Sequence, residues 1–109
     1  MTKWRAFLAG LVLAVAVAAA GCAAPTLPIP PPTALVSAPD ASGRVTVTGR
    51  ADPAAYVFLL NNDTDQGVIG HAATDGSFSL QVMAASGNEL WVWQELNSQP
   101  SQQNIQTVP

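Results

Sequence analysis

From Asp40 to the C-terminus the chain is cut by turn chemistry so often that no helix of useful length fits between the cuts. Asp52-Pro53, Asp75-Gly76 and Ser86-Gly87-Asn88 break it into short stretches. Each stretch has the period of a strand. In "RVTVTG" (44–49), Val45 and Val47 fall on one face and Thr46 and Thr48 on the other; in "SFSLQV" (77–82), Phe78, Leu80 and Val82 turn the same way. "YVFLL" (56–60) is apolar on both faces and reads as a central strand. "GVIGHAA" (67–73), "LWVWQE" (90–95) and "IQTV" (105–108) complete the set. Closely spaced strands separated by turns predict an all-β fold, a small sandwich of about six to seven strands over residues 44–109. Asp-Gly between two strands predicts a hairpin, because Gly tolerates positive φ and Asp bonds its own backbone.

The residues before Arg44 obey other rules. Residues 23–43 hold Pro25, Pro28, Pro30, Pro31, Pro32 and Pro39. Proline fixes φ and removes a donor, which excludes a helix and a central strand and favours polyproline II. Residues 22–43 are therefore expected to be a linker, a passive spacer reaching up to roughly 60 Å. Ahead of it, "MTKWR" is a short basic segment, residues 6–20 are continuously apolar and small residues follow. This is the layout of an export signal over residues 1–21, which takes no part in the fold.

The single cysteine, Cys22, follows that signal directly in "AAAGCAAP". Ala20-Gly21-Cys22 resembles the lipobox of bacterial lipoproteins, with Ala19 where leucine is usual. The resemblance implies a diacylglycerol on the Cys22 thiol, cleavage before it and palmitate-type acylation of the new amine. It places the chain in the bacterial cell envelope, held to the membrane by its lipids. Ala23 stands where an aspartate would retain a lipoprotein in the inner membrane, so the outer membrane is expected where the organism has one. Three other readings of the segment stand beside this one: a secretory signal cut after Ala20, an uncleaved membrane helix and a buried core cysteine.

Residues 44–109 resemble the bacterial Ig-like repeat, through "VTVTGRADPAAYVFLLNN", "AATDGSFSLQV" and "GNELWVW". The carboxypeptidase-regulatory, transthyretin-like sandwich shares much of that pattern. The resemblance implies an Ig-like β-sandwich acting as a spacer, adhesion or docking module, and it carries no chemistry. Where the repeat has glycine after proline, this chain has Ala54, and alanine disfavours positive φ. A type I turn is therefore expected at Asp52–Ala55.

The expected core is Val45, Val47, Val57, Leu59, Val68, Phe78, Leu80, Val82, Leu90 and Val92. It is small and has no disulfide behind it, which leaves room for a partner surface or self-association. After position 21 the chain has two arginines, no lysine and seven acidic residues. Nucleic acid and anionic membrane surfaces are therefore not expected partners.

Trp91 and Trp93 stand two apart on one strand and share a face. With Leu90 and Val92 inward, the two indoles point outward, either to pack on neighbouring strands or to contact a glycan or an envelope protein. Asn61, Asp63 and Asp65 bunch oxygen atoms, but their spacing departs from a calcium loop and a solvated hairpin is expected. His71 is the only histidine and reads as a surface residue. No metal site, cofactor or catalytic residue is expected, because no nucleophile motif or carboxylate pair is present. The reading is a lipid-anchored, non-catalytic interaction or structural module, with a carbohydrate-binding module using Trp91 and Trp93 as the alternative. Cys22→Ser is expected to move the protein from the membrane to the soluble fraction on cell fractionation.

Overall fold

The computed structural model describes residues 28–109. The expected signal (1–21), Cys22 and the start of the linker lie outside the described residues. Eight strands are present: β1 (Leu35–Val36), β2 (Arg44–Arg50), β3 (Tyr56–Asn61), β4 (Gln66–His71), β5 (Ser77–Met83), β6 (Glu89–Leu96), β7 (Gln99–Pro100) and β8 (Asn104–Thr107). They form a three-stranded sheet, β1-β2-β5, and a five-stranded sheet in which β4, β3 and β6 are neighbours and both β7 and β8 pair with β6. Every pairing is antiparallel. The fold is a small all-β sandwich, and the described residues contain no helix. The six strands read from the alternating stretches are the six long ones, and β3 is central as its two apolar faces require. The two additional strands, β1 and β7, are two residues each.

The core lies between the sheets. Val45, Val47, Phe78 and Val82 come from one side, and Val57, Leu59, Leu90 and Val92 from the other. Val108 and the small residues Ala72 and Ala84 fill out the cluster. Val68 and Leu80 are only half-buried, although both face inward. The reason is topological: β4 and β5 lie at the unpaired edges of their sheets, so the sandwich is open beside them.

The Asp75-Gly76 turn differs from the expected hairpin. The chain does reverse there, with Gly76 at φ 87 and Gly76 N donating to Ala73 O at 2.9 Å. The Asp75 carboxylate accepts from Ser77 Oγ and N, which holds its pKa below the usual carboxylate range. The strands on either side then part into different sheets, because β5 pairs with β2 over seven residues, from Arg44↔Met83 to Arg50↔Ser77. A turn fixes only a local reversal. The long partner is set by burial of Val45 and Val47 against the β5 side chains.

The Pro-rich segment also departs from expectation. Part of the stretch assigned to a passive linker is built into the sandwich. Leu35 and Val36 pair with Thr48 and Val47, Thr33 N donates to Arg50 O, and Pro32 is buried. Proline carbonyls keep their acceptor capacity although the nitrogens have no hydrogen to give. Gln94 Nε2 on β6 donates to Pro30 O at 2.8 Å, and Asn104 Nδ2 on β8 donates to Pro32 O at 2.9 Å. The segment thus ties the edge of the large sheet to β2 of the small one. It can lie this close only because position 49 is glycine: a Cβ there would stand 1.9 Å from Thr33 O.

Two buried amides hold the ends of the core. Gln94, 2% exposed, accepts from Asp52 N at 2.8 Å as well as donating to Pro30. Its own backbone N–H goes to Ser101 Oγ. Asn61, fully buried, donates to Met83 O and Asn88 Oδ1 and accepts from Asp63 N. No buried side-chain nitrogen or oxygen among the described residues lacks a partner.

The turn at Asp52–Ala55 is a further correction. Ala55 N donates to Asp52 O at 3.1 Å, and Ala54 sits at φ 61. Proline at the first central position and positive φ at the second define type II, so the alanine accepts the left-handed region. The Asp52 N–H, held by buried Gln94, and the buried Ala55 side chain fix both ends of the turn and override the local preference. Ala54→Gly is therefore expected to stabilise the fold by about 1 kcal/mol in urea unfolding. Gln94→Leu strands the Asp52 N–H and the Pro30 carbonyl, and is expected to cost about 2–4 kcal/mol in the same measurement.

Candidate functional site

The two sheets present unlike surfaces. Residues paired across a ladder share a face, so the register gives each outer surface row by row. On the small sheet the outward rows are Arg44 with Met83, Thr46 with Gln81, Thr48 with Ser79 and Leu35, and Arg50 with Ser77. That surface is mostly polar. On the large sheet one row is Ile69–Phe58–Trp93 and the next is Gly67–Leu60–Trp91–Ile105. His71, Tyr56 and Glu95 form a row at one end, and Glu89 with Thr107 lie at the other.

The result is an apolar band across four strands, with polar groups at its two ends. Ile69 is 62% exposed, Ile105 54% and Tyr56 52%, while Phe58, Leu60, Trp91 and Trp93 are half-buried among them. The band follows from sequence. Strands β3 and β6 are apolar on both faces, and only one face of each can reach the core. Gly67 leaves a notch in its row, and a groove of about 480 Å³ runs there between Leu60, Ile69, Phe58 and Trp93.

Trp91 and Trp93 lie where the spacing put them, side by side and opposite to Leu90 and Val92. Their surroundings differ. The Trp93 ring stacks on Phe58, with centroids 5.2 Å apart and planes within 5°. One face of that indole is thus taken up by packing. Trp91 Nε1 donates to Glu89 Oε1, so its polar handle is satisfied within the strand and its ring is held in one orientation. Spacing pointed to these two side chains. It missed Phe58, Leu60, Ile69 and Ile105, which complete the band from three other strands. The signal for Phe58 and Leu60 was the doubly apolar β3; no local signal places Ile69 and Ile105 beside them.

The remaining candidates fall outside the band or at its edge. His71 lies on the exposed edge strand β4 with its ring edge-on to Tyr56, centroids 4.1 Å apart. The loop between β3 and β4 is a tight reversal with Asp65 at φ 60. Asn61 is turned inward and accepts from Asp63 N, and Asp63 Oδ2 accepts from Glu89 N at 2.7 Å, so both side chains are engaged in holding the loop. Asp40, like Asp75, accepts from nearby backbone and hydroxyl groups, here Arg44 N and Ser42, and its pKa is lowered in consequence. Both carboxylates are engaged in holding turns. Compared with known proteins, the chain matches no family model and no curated protein.

Proposed function

We propose that this chain is a lipid-anchored, non-catalytic binding module of a bacterial cell envelope, and that it engages a protein partner through the outer face of the five-stranded sheet. The observation carrying this reading is the contrast between the two outer surfaces. A monomer gains nothing by leaving an aromatic band exposed on one face while the other is polar, and apolar patches rimmed by polar groups mark interaction sites. Half-buried tryptophans and Phe58 at the centre of such a patch, with exposed Tyr56 at its end, suit a protein interface, where large rigid side chains contribute most of the affinity.

The location rests on the basic, apolar and small-residue order of residues 1–21 and on Cys22 behind it. The two-sheet sandwich is consistent with the Ig-like resemblance of residues 44–109. The docked proline segment alters the geometry of such an anchor. With the carbonyl of Pro30 fixed to the domain, only residues 23–29 separate it from Cys22. Fully extended, they reach about 25–30 Å. The domain would ride close to its membrane and meet partners in that layer.

A glycan ligand is the second reading, favoured by the fixed orientation of Trp91. It suits this face less well, because Trp93 has one ring face against Phe58 and is not free on both sides for a sugar. Trp91→Ala combined with Trp93→Ala is expected to reduce capture of an envelope protein by at least ten-fold, measured by in-cell cross-linking of the full-length chain, while thermal unfolding stays cooperative. Unchanged capture would overturn the reading. Loss of binding to purified envelope glycan in the same variant would transfer the site to the second reading.

A further inference from the structure

The open side of the sandwich carries a second, independent surface. β5 pairs with β2 on one side, and no described residue pairs with it on the other. A cleft of about 890 Å³ runs beside it, lined by Ser79–Met83 of β5 and by Gln66, Gly67 and Val68 of β4. Leu80 and Val68 are half-buried because they face this cleft.

The phase of the ladder shows which peptide groups are free. Gly76 O accepts from Ala51 N and Ala84 N donates to Gly43 O, both on the β2 side. Antiparallel strands alternate, so the even-numbered residues of β5 turn their peptide groups to β2 and the odd-numbered ones turn outward. Of the outward groups at the ends, all but the Met83 N–H are already used. Ser77 O accepts from Ala73 N, Ser77 N donates to Asp75 Oδ1, and Met83 O accepts from Asn61 Nδ2. Ser79 and Gln81 remain at the centre, with an N–H and a C=O each, disposed symmetrically about Leu80.

We infer that β5 is a self-pairing edge: a second copy of this chain adds its own β5 antiparallel, with the two-fold axis at Leu80. In that register Ser79 of one copy faces Gln81 of the other, twice. Such pairs exchange both bonds, so four hydrogen bonds use the N–H and C=O of Ser79 and Gln81 in each copy. Leu80 meets its own counterpart, and Phe78 meets Val82, on the inward face above the open cleft. The strand carries no charge and no proline to oppose this, and those are the devices that ordinarily protect an edge. The two small sheets would join into one of six strands. The contact is short, so the pair is weak in dilute solution and is favoured where copies are concentrated on one surface.

The test uses the full-length lipidated chain in detergent, followed by sedimentation velocity as concentration rises from micromolar to hundreds of micromolar. The protein mass is expected to double over that range. Gln81→Pro removes an outward N–H that the monomer does not use, and proline is tolerated on such an edge. This variant is expected to stay monomeric with an unchanged thermal midpoint. Ser79→Glu with Gln81→Glu sets carboxylates opposite one another at both exposed positions, and is expected to abolish the dimer. Ser79→Glu with Gln81→Lys sets opposite charges there and is expected to restore it, a rescue that only this register produces. A wild-type chain that stays monomeric throughout would overturn the proposal. So would a dimer that survives both Gln81→Pro and the paired glutamates. Loss of the dimer in the Trp91→Ala, Trp93→Ala variant with retention in Gln81→Pro would place the contact on the aromatic face and overturn it as well.

Discussion

The structure depends on one buried amide. Gln94 joins three parts of the chain that burial alone would not hold in register: its own strand β6, the turn that begins at Asp52 and the proline segment at Pro30. An unpaired amide at 2% exposure would be costly, and here both ends of the side chain are used. Two further contacts act with it. Ser101 caps the Gln94 backbone, and Asn104 repeats the bond to a proline carbonyl one strand further along. Together they close one side of the sandwich. The opposite side, between β4 and β5, is tied only at one end, by Asn61 to Met83 O, and a cleft stays open along the rest. The asymmetry of the molecule follows from where these amides sit.

Burial then divides the surfaces. A sandwich of this size has two outer faces, and a strand that is apolar on both sides must show one of them. β3 and β6 are such strands, and they are neighbours, so their outward residues merge into one band. The three-stranded sheet has no strand of this kind and stays mostly polar. The aromatic band is thus a consequence of strand order acting on sequence. It would not exist if β3 and β6 lay in different sheets.

Much of this was legible in the sequence. Strict alternation located β2 and β5, and the doubly apolar run located β3 at the centre. Eight of the ten expected core residues are buried, and the other two are half-buried at the open edge. The tryptophan pair was legible as a shared face, since a two-residue spacing permits nothing else on a strand. What was not legible is long-range. Pro30 and Pro32 read as spacer because their partners, Gln94 and Asn104, lie 64 and 72 residues further on. Asp75-Gly76 read as a hairpin because turn residues specify a reversal and say nothing about which sheet receives the next strand. Ala54 misled for a related reason: its own preference is weaker than the anchoring of Asp52 and Ala55 on either side. Asn97 and Ser98, both at positive φ, make the tight turn between β6 and β7, and only the asparagine hinted at it.

The proline clasp has a consequence for how the molecule comes into being. The earliest part of the domain to leave any biosynthetic machine is the proline segment, and its partners on β6 and β8 are among the last. Nothing can latch until nearly the whole polypeptide has been delivered. Topologies that join distant ends assemble slowly, so the clasp locks only after the last strands have been delivered.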